Sequence, residues 1–232
     1  MSQDLSRQAN RILAALPEAE YQRLEPYLTS VSVARGTVLY EAGERIETIY
    51  FPKTSLISLV NILSDGATTE VGLVGATGMV GLPVIFGSNY SISRAIVQIP
   101  DHALKISAII LKQEFDRGGE LQRQLLRYSN LRLQETSQLA VCNRHHTIEE
   151  RLARWLLTVQ DLIQADELPL TQEFVGHMLG CRRSGVTITA GILQQSGLIR
   201  YARGRIRILD REAMEDVACE CYRLFYDNFY RG

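Results

Sequence analysis

The sequence predicts an α+β protein in three parts: an N-terminal antiparallel β jelly roll (residues 1–110), a long dimerisation helix and hinge (111–146), and a C-terminal winged helix-turn-helix (147–232). Three observations carry this. Short β-branched and aromatic runs recur between Val31 and Ile106, separated by Gly, Asp and Pro. From Leu111 to Asn143 apolar residues fall at helical spacing. The stretch Thr171–Leu209 then reads as helix, glycine turn, helix and β-hairpin.

Residues from about Asp4 to Leu28 read as one or two short helices, with Ile12, Leu13, Leu16, Leu24 and Leu28 as apolar face and Pro17 and Pro26 as breaks. Strands are expected at Thr37–Tyr40, Thr48–Phe51, Leu56–Ile62, Glu70–Val74, Ala95–Ile99 and Ala103–Ile106. Asp65–Gly66 between two of them is a hairpin signal.

The long helix carries a break at Gly118–Gly119. Leu121, Leu125, Tyr128 and Leu139 give it an apolar surface that could serve as a dimer seam or pack against its own sandwich, and the dimer seam is the reading taken forward. Arg144–Thr147 reads as a hinge, with Thr147 capping the next helix and Glu149 and Glu150 near its positive dipole end. After the hairpin, Asp210 caps a last helix with Met214, Val217, Cys221, Leu224 and Phe225 at helical spacing; the tail aromatics Tyr222, Phe225, Tyr226, Phe229 and Tyr230 are expected to pack on the winged helix.

Within the helix-turn-helix, the first helix starts at Thr171 and the second covers Arg182–Gln195. Gly176 allows a close crossing, Gly180 a left-handed turn, and Val186 buries the second helix on the first, with Ile192 and Leu193 continuing that face. Thr189 stands where an apolar residue is more usual. The hairpin tip falls at Arg203–Gly204.

Net charge is −1, but residues 181–211 hold seven arginines against the single acid Asp210, about +6, which leaves about −7 elsewhere. Such asymmetry is a footprint for a polyanion, here double-stranded DNA. Arg182, Arg183, Ser184 and Thr187 are the candidate base-reading residues, and Thr171, Arg200, Arg203 and Arg205 the candidate backbone contacts. The competing reading is a ligand-binding or enzymatic β-sandwich that does not bind DNA and carries an incidental basic hairpin.

At this point the chain resembles the Crp/Fnr family of bacterial transcription regulators along nearly its whole length. The phrases RGTVLYEAGE, IETIYFP and GLVGATGMVGLP follow the family's sandwich, and IEERLARWLL its helix into the DNA domain. The resemblance implies a cyclic-nucleotide-binding-like sensor domain, a homodimer, two-fold symmetric DNA sites and contacts with RNA polymerase. Cyclic-AMP-responsive members carry a glutamate where this chain has Ser184 and an arginine where it has Ile188, so its target should differ from theirs. Their Gly-Glu pair and Arg-Ser/Thr-Ala triplet, which hold ribose and phosphate, are replaced by GMVGLP, with Leu82 or Pro83 for the acid, and SRA, with Ser93 for the arginine and Arg94 one residue on. Cyclic AMP is therefore not expected, and the effector stays unknown. Nor is an iron–sulfur cluster on N-terminal cysteines, since none precedes Cys142.

Other constellations carry less. Gly72, Gly75, Gly78 and Gly81 recur every third residue without the context of a phosphate loop, and read as tight turns between strands. Cys219 and Cys221 could join His145 or His177 on a metal, but two apart in a helix they point to different faces, so no metal or other cofactor is expected. No nucleophile–base–acid set is evident, which argues against an enzyme. With no long apolar run and no signal peptide, and with four cysteines that give no sign of export, a reduced cytoplasmic protein away from membranes is expected.

Overall fold

The structure is a computed structural model that describes residues 7–229, with side chains to Tyr226. Asp4 and Tyr230, and the side chain of Phe229, lie outside the described parts. The chain divides into two compact units: one runs up to Asn61 and includes Val71–Leu133, the other combines Ile62–Glu70 with the chain from Gln134 on.

The first unit is a β-sandwich. Its strands are β1 (Thr29–Val33), β2 (Val38–Tyr40), β3 (Thr48–Pro52), β4 (Leu56–Ile62), β5 (Thr68–Val74), β6 (Arg94–Ile99) and β7 (Asp101–Ser107). They form two sheets, in the orders β1-β7-β3 and β2-β6-β4-β5. β7 pairs antiparallel with β1 and β3, and β6 with β2 and β4. Phe51, Ile57, Val97, Leu104 and Ile106 are buried in its core. β1 was not expected. It is a short edge strand with mostly exposed side chains, and only Val31 and Val33, alternating with serines, turn toward the core. Gly66 at the β4–β5 turn has φ +85°, and Asp65 accepts from the Ala67 amide.

Two short helices, α1 (Arg11–Ala14) and α2 (Glu18–Leu24), precede the sheets. Asn10 is fully buried: its Oδ1 caps α1, and its Nδ2 donates to the carbonyls of Pro52 and Gly78. α3 (Ala108–Asp116) and α4 (Glu120–His145) are separated at Gly118 and Gly119, both at positive φ. The amides of Glu120 and Leu121 open α4 by donating to the two carboxylate oxygens of Glu20. Against the upward push of burial, those bonds hold the Glu20 carboxyl below its usual value.

The dimer seam expected on α4 needs correction. Leu121, Leu125 and Tyr128 are buried in their own sandwich, where the apolar positions of α4 meet the sheet. Leu139 is half-buried against Cys142, Cys219, Cys221 and Phe225. Leu126, Leu133 and Val141 are the exposed large apolar residues of the helix, and Ala140 is exposed beside them. Two of the glycines read as turns also have another role. A Cβ on Gly72 would lie 1.5 Å from Arg132 Nη2, and one on Gly78 would lie 2.5 Å from Tyr128 Oη. Their bare backbones admit α4 side chains, while Gly81, at φ +106°, is a turn.

In the second unit, α5 (Ile148–Ile163) starts from a capping box in which Thr147 and Glu150 each accept the other's backbone amide. The expected hinge shrinks accordingly, because α4 stays helical through His145. There follow β8 (Glu167–Leu168), α6 (Gln172–Leu179), α7 (Arg183–Gln195), β9 (Ile199–Ala202), β10 (Arg205–Ile208), α8 (Arg211–Val217) and α9 (Cys221–Phe229). The three strands form a small sheet in the order β8-β10-β9. The single last helix expected after Asp210 is two helices with a break between them. Tyr222 and Phe225 are buried. Among the described residues no helix is long and apolar enough to cross a membrane.

Candidate nucleic-acid interface

The local sequence of α6 and α7 sets their crossing. Thr171 caps α6, its hydroxyl oxygen accepting from the Phe174 amide at 3.2 Å. Gly180 ends α6 at φ +58°, a left-handed conformation that costs glycine little. A Cβ on Gly176 would meet the Cys181 carbonyl at 3.1 Å and the Arg183 Cα at 3.5 Å, so a bare backbone lets α7 cross closely. Val186, Thr189, Ala190 and Leu193 are the buried face of α7. Thr189 takes the place of an apolar residue and is buried all the same. Ile192, expected in the core, is exposed beside Ile188, because it falls outside that stripe.

The opposite face of α7 presents Arg183, Ser184 and Thr187, with Arg182 at the N-cap, all exposed. The Thr187 hydroxyl donates to Gln172 Oε1 at 2.8 Å, with the Arg183 carbonyl at 3.0 Å as its other acceptor. This joins Gln172, which sequence reasoning passed over, to the candidate surface. Its position at the first turn of α6 was legible, but its approach to α7 depends on the crossing.

β9 and β10 pair in register from Ile199–Ile208 to Ala202–Arg205 and turn at Arg203 and Gly204, both at positive φ. Arg200 and Arg203 are exposed on this wing. Its other arginines are paired: Arg205 with Glu167 at 3.0 Å, and Arg207 with Asp166 at 3.9 Å. Arg211 is held by Asp161 at 2.7 Å and Glu215 at 3.1 Å. Counting charges along the sequence therefore overstates the positive surface. Among the described residues Arg182, Arg183, Arg200 and Arg203 form no ion pair. These four, at the start of α7 and on the wing, make the basic stripe.

In the sandwich, the residues of the SRA stretch also have partners. Ala95 and Val97 are buried in the core, and Arg94 lies on the other face of β6, paired with Glu41 at 2.7 Å. Ser93 is buried and donates to Asn61 Oδ1 at 2.7 Å.

The expectation about the C-terminal cysteines also changes. Cys219 lies in the break between α8 and α9, and Cys221 is the first residue of α9, so the two do not follow helical spacing. Their thiols converge with Cys142 and with His146, rather than His145 or His177, on four side-chain atoms within 4.8 Å of one another.

Residues 150–217 match the Crp-like helix-turn-helix domain family. Over 189 residues the chain is 21% identical to the transcriptional activator protein FnrA of Stutzerimonas stutzeri, which covers 76% of this chain and 75% of that protein. Its fold is that of a Crp/Fnr-family regulator from Eubacterium rectale, at a TM-score of 0.72 and 19% identity over 90% of this chain and 98% of the other. FixK2 from Bradyrhizobium japonicum superposes with a TM-score of 0.72 at 18% identity, over 83% of this chain and 98% of the other. The helix-turn-helix region thus matches the Crp-like domain family, the chain is similar to FnrA over three quarters of its length, and its fold is shared with Crp/Fnr-family regulators.

Proposed function

We propose that the protein acts as a homodimer on a two-fold symmetric operator, with α7 of each copy in the major groove. The observation that carries this is the stripe of arginines without ion pairs at the start of α7 and along the wing. Arg182, Arg183, Ser184 and Thr187 read base edges, Arg183 first among them, since a guanidinium offers two parallel hydrogen bonds to guanine. Thr171, Arg200, Arg203 and Arg205 set register on the phosphates. Arg205 would first have to release Glu167.

The dimer forms along the exposed edge of α4, where Leu126, Leu133 and Ala140 recur every seventh residue beside Val141. Cyclic AMP is not the effector: Ser93, where the family's phosphate arginine stands, binds Asn61, and Arg94 lies on the wrong face of β6. The protein works in the bacterial cytoplasm, acting on transcription through contacts with RNA polymerase. Selection of bound sequences from random duplex DNA tests the reading. The expected outcome is an inverted repeat with half-sites about one helical turn apart. Binding that ignores sequence, or a single half-site bound by a monomer, would refute it.

A further inference from the structure

We propose that Cys142, His146, Cys219 and Cys221 bind one zinc ion. Their ligand atoms lie within 4.8 Å of one another. The Cys142 and Cys219 sulfurs are 3.6 Å apart, and Cys221 Sγ is 3.7 Å from His146 Nδ1. In a tetrahedral zinc site, Zn–S bonds of about 2.3 Å and Zn–N bonds of about 2.0–2.1 Å set neighbouring ligand atoms roughly 3.6–3.8 Å apart. The side chains thus sit close to zinc-binding geometry. In an iron–sulfur cluster the ligands bind different irons, which asks for a wider spread. Three thiolates and one imidazole form a structural zinc set, and soft sulfur donors select against magnesium or calcium.

The surroundings fit the same ion. His146 Nε2 faces Glu220 Oε2 at 3.1 Å, which fixes the ring proton there and leaves Nδ1 free to ligate. Gln138 Nε2 donates to Cys221 Sγ at 3.1 Å, a bond that favours a thiolate. All three cysteines are buried among Leu139 and Phe225. Arg154, buried and stacked over the Phe225 ring, has an Nε without a hydrogen-bond partner among the described residues. Three thiolates around a divalent ion carry a net charge of about −1, a counter-charge for that guanidinium. On binding, the thiol protons are released to solvent and no electrons move. A plain apolar cluster of thiols would not need the histidine, its carboxylate or the amide.

The ligands come from two segments distant in sequence. Cys142 and His146 lie one helical turn apart at the end of α4, and Cys219 and Cys221 flank the start of α9. Zinc here would staple the end of α4 to the C-terminal helices. The inference does not depend on which DNA, if any, the protein binds.

The test is elemental analysis of the full chain, produced without an affinity tag. One zinc per chain is expected, and less than about a tenth of that in Cys142→Ser and Cys221→Ser, while Cys181→Ser keeps it. Should the cysteine variants fail to fold, two further measurements decide. Co²⁺ added to the chelator-treated wild type should give the intense visible bands of a tetrahedral thiolate site, at one ion per chain and displaced by zinc. Glu220→Gln, at an exposed residue, should fold and bind zinc about 10–100-fold more weakly. A folded wild-type chain with no zinc and no Co²⁺ bands overturns the proposal, as does a Cys142–Cys219 disulfide found in protein purified without oxygen.

Discussion

Arg132 lies against Gly72, its Nη1 donating to the neighbouring Leu73 carbonyl at 3.0 Å. The arginine is buried, so this long polar side chain occupies sandwich interior that the glycine leaves open. Gly72→Ala would put a methyl 1.5 Å from Nη2 and force the guanidinium to move. The expected cost is about 1–3 kcal/mol, read from chemical denaturation. Arg132→Met in the same background should recover part of the loss. Independent, additive effects would show that the two residues do not share this space.

On DNA, Arg183→Ala should relax sequence preference, with a loss of roughly 1–3 kcal/mol per half-site of the selected operator and little on random duplex. Arg203→Ala should weaken both alike and reduce the slope of log K against log salt by about 0.9 per half-site, about 1.8 for the dimer. Titrations at several salt concentrations separate the two. Equal losses on cognate and random DNA for Arg183→Ala would remove that residue from base reading.

The turn between α6 and α7 sits at a left-handed glycine, Gly180. Gly180→Ala should cost about 1–2 kcal/mol, because a Cβ there crowds the following carbonyl. Thermal unfolding measures it, and an unchanged midpoint would mean that the turn relaxes freely.

Leu126→Glu and Leu133→Glu should shift the protein toward monomer in sedimentation, while leaving its circular dichroism unchanged. Both residues are exposed, so neither change disturbs the sandwich core. A retained dimer would place the interface off this edge of α4.

At the start of α5, the Glu150 carboxyl is held below its usual value, first by the Thr147 amide and then by the Thr147 hydroxyl. A carboxylate with a depressed folded pKa stabilises fully above its unfolded pKa, and the contribution is lost as pH falls through the folded value. The melting-temperature gap between wild type and Glu150→Gln should therefore be widest near neutral pH and close below the usual value of 4.5. A gap that persists in acid would assign the effect to shape rather than charge.

Much of this architecture could be read from side-chain patterns. β-Branched and aromatic runs between turn residues mark most strands, Gly118 and Gly119 divide α3 from α4, and Thr147, Thr171 and Asp210 cap the helices that follow them. What escaped was relational. Period alone shows that Leu121, Leu125 and Tyr128 share a face, not whether that face meets its own sheet or a second chain. The break that frees Cys219 falls at Ala218–Glu220, where no glycine or proline announces it. Arg205, Arg207 and Arg211 look free until the fold brings acids beside them.

The wing tip sets two demands on one residue. Arg203 holds φ at +50°, a region that suits glycine or asparagine far better than a long side chain. Glycine there would relieve the backbone and steady the hairpin, yet it would take a guanidinium from the edge of the wing. With the wing on phosphates as proposed, a stiffer hairpin and a firmer hold on DNA would call for different side chains at Arg203.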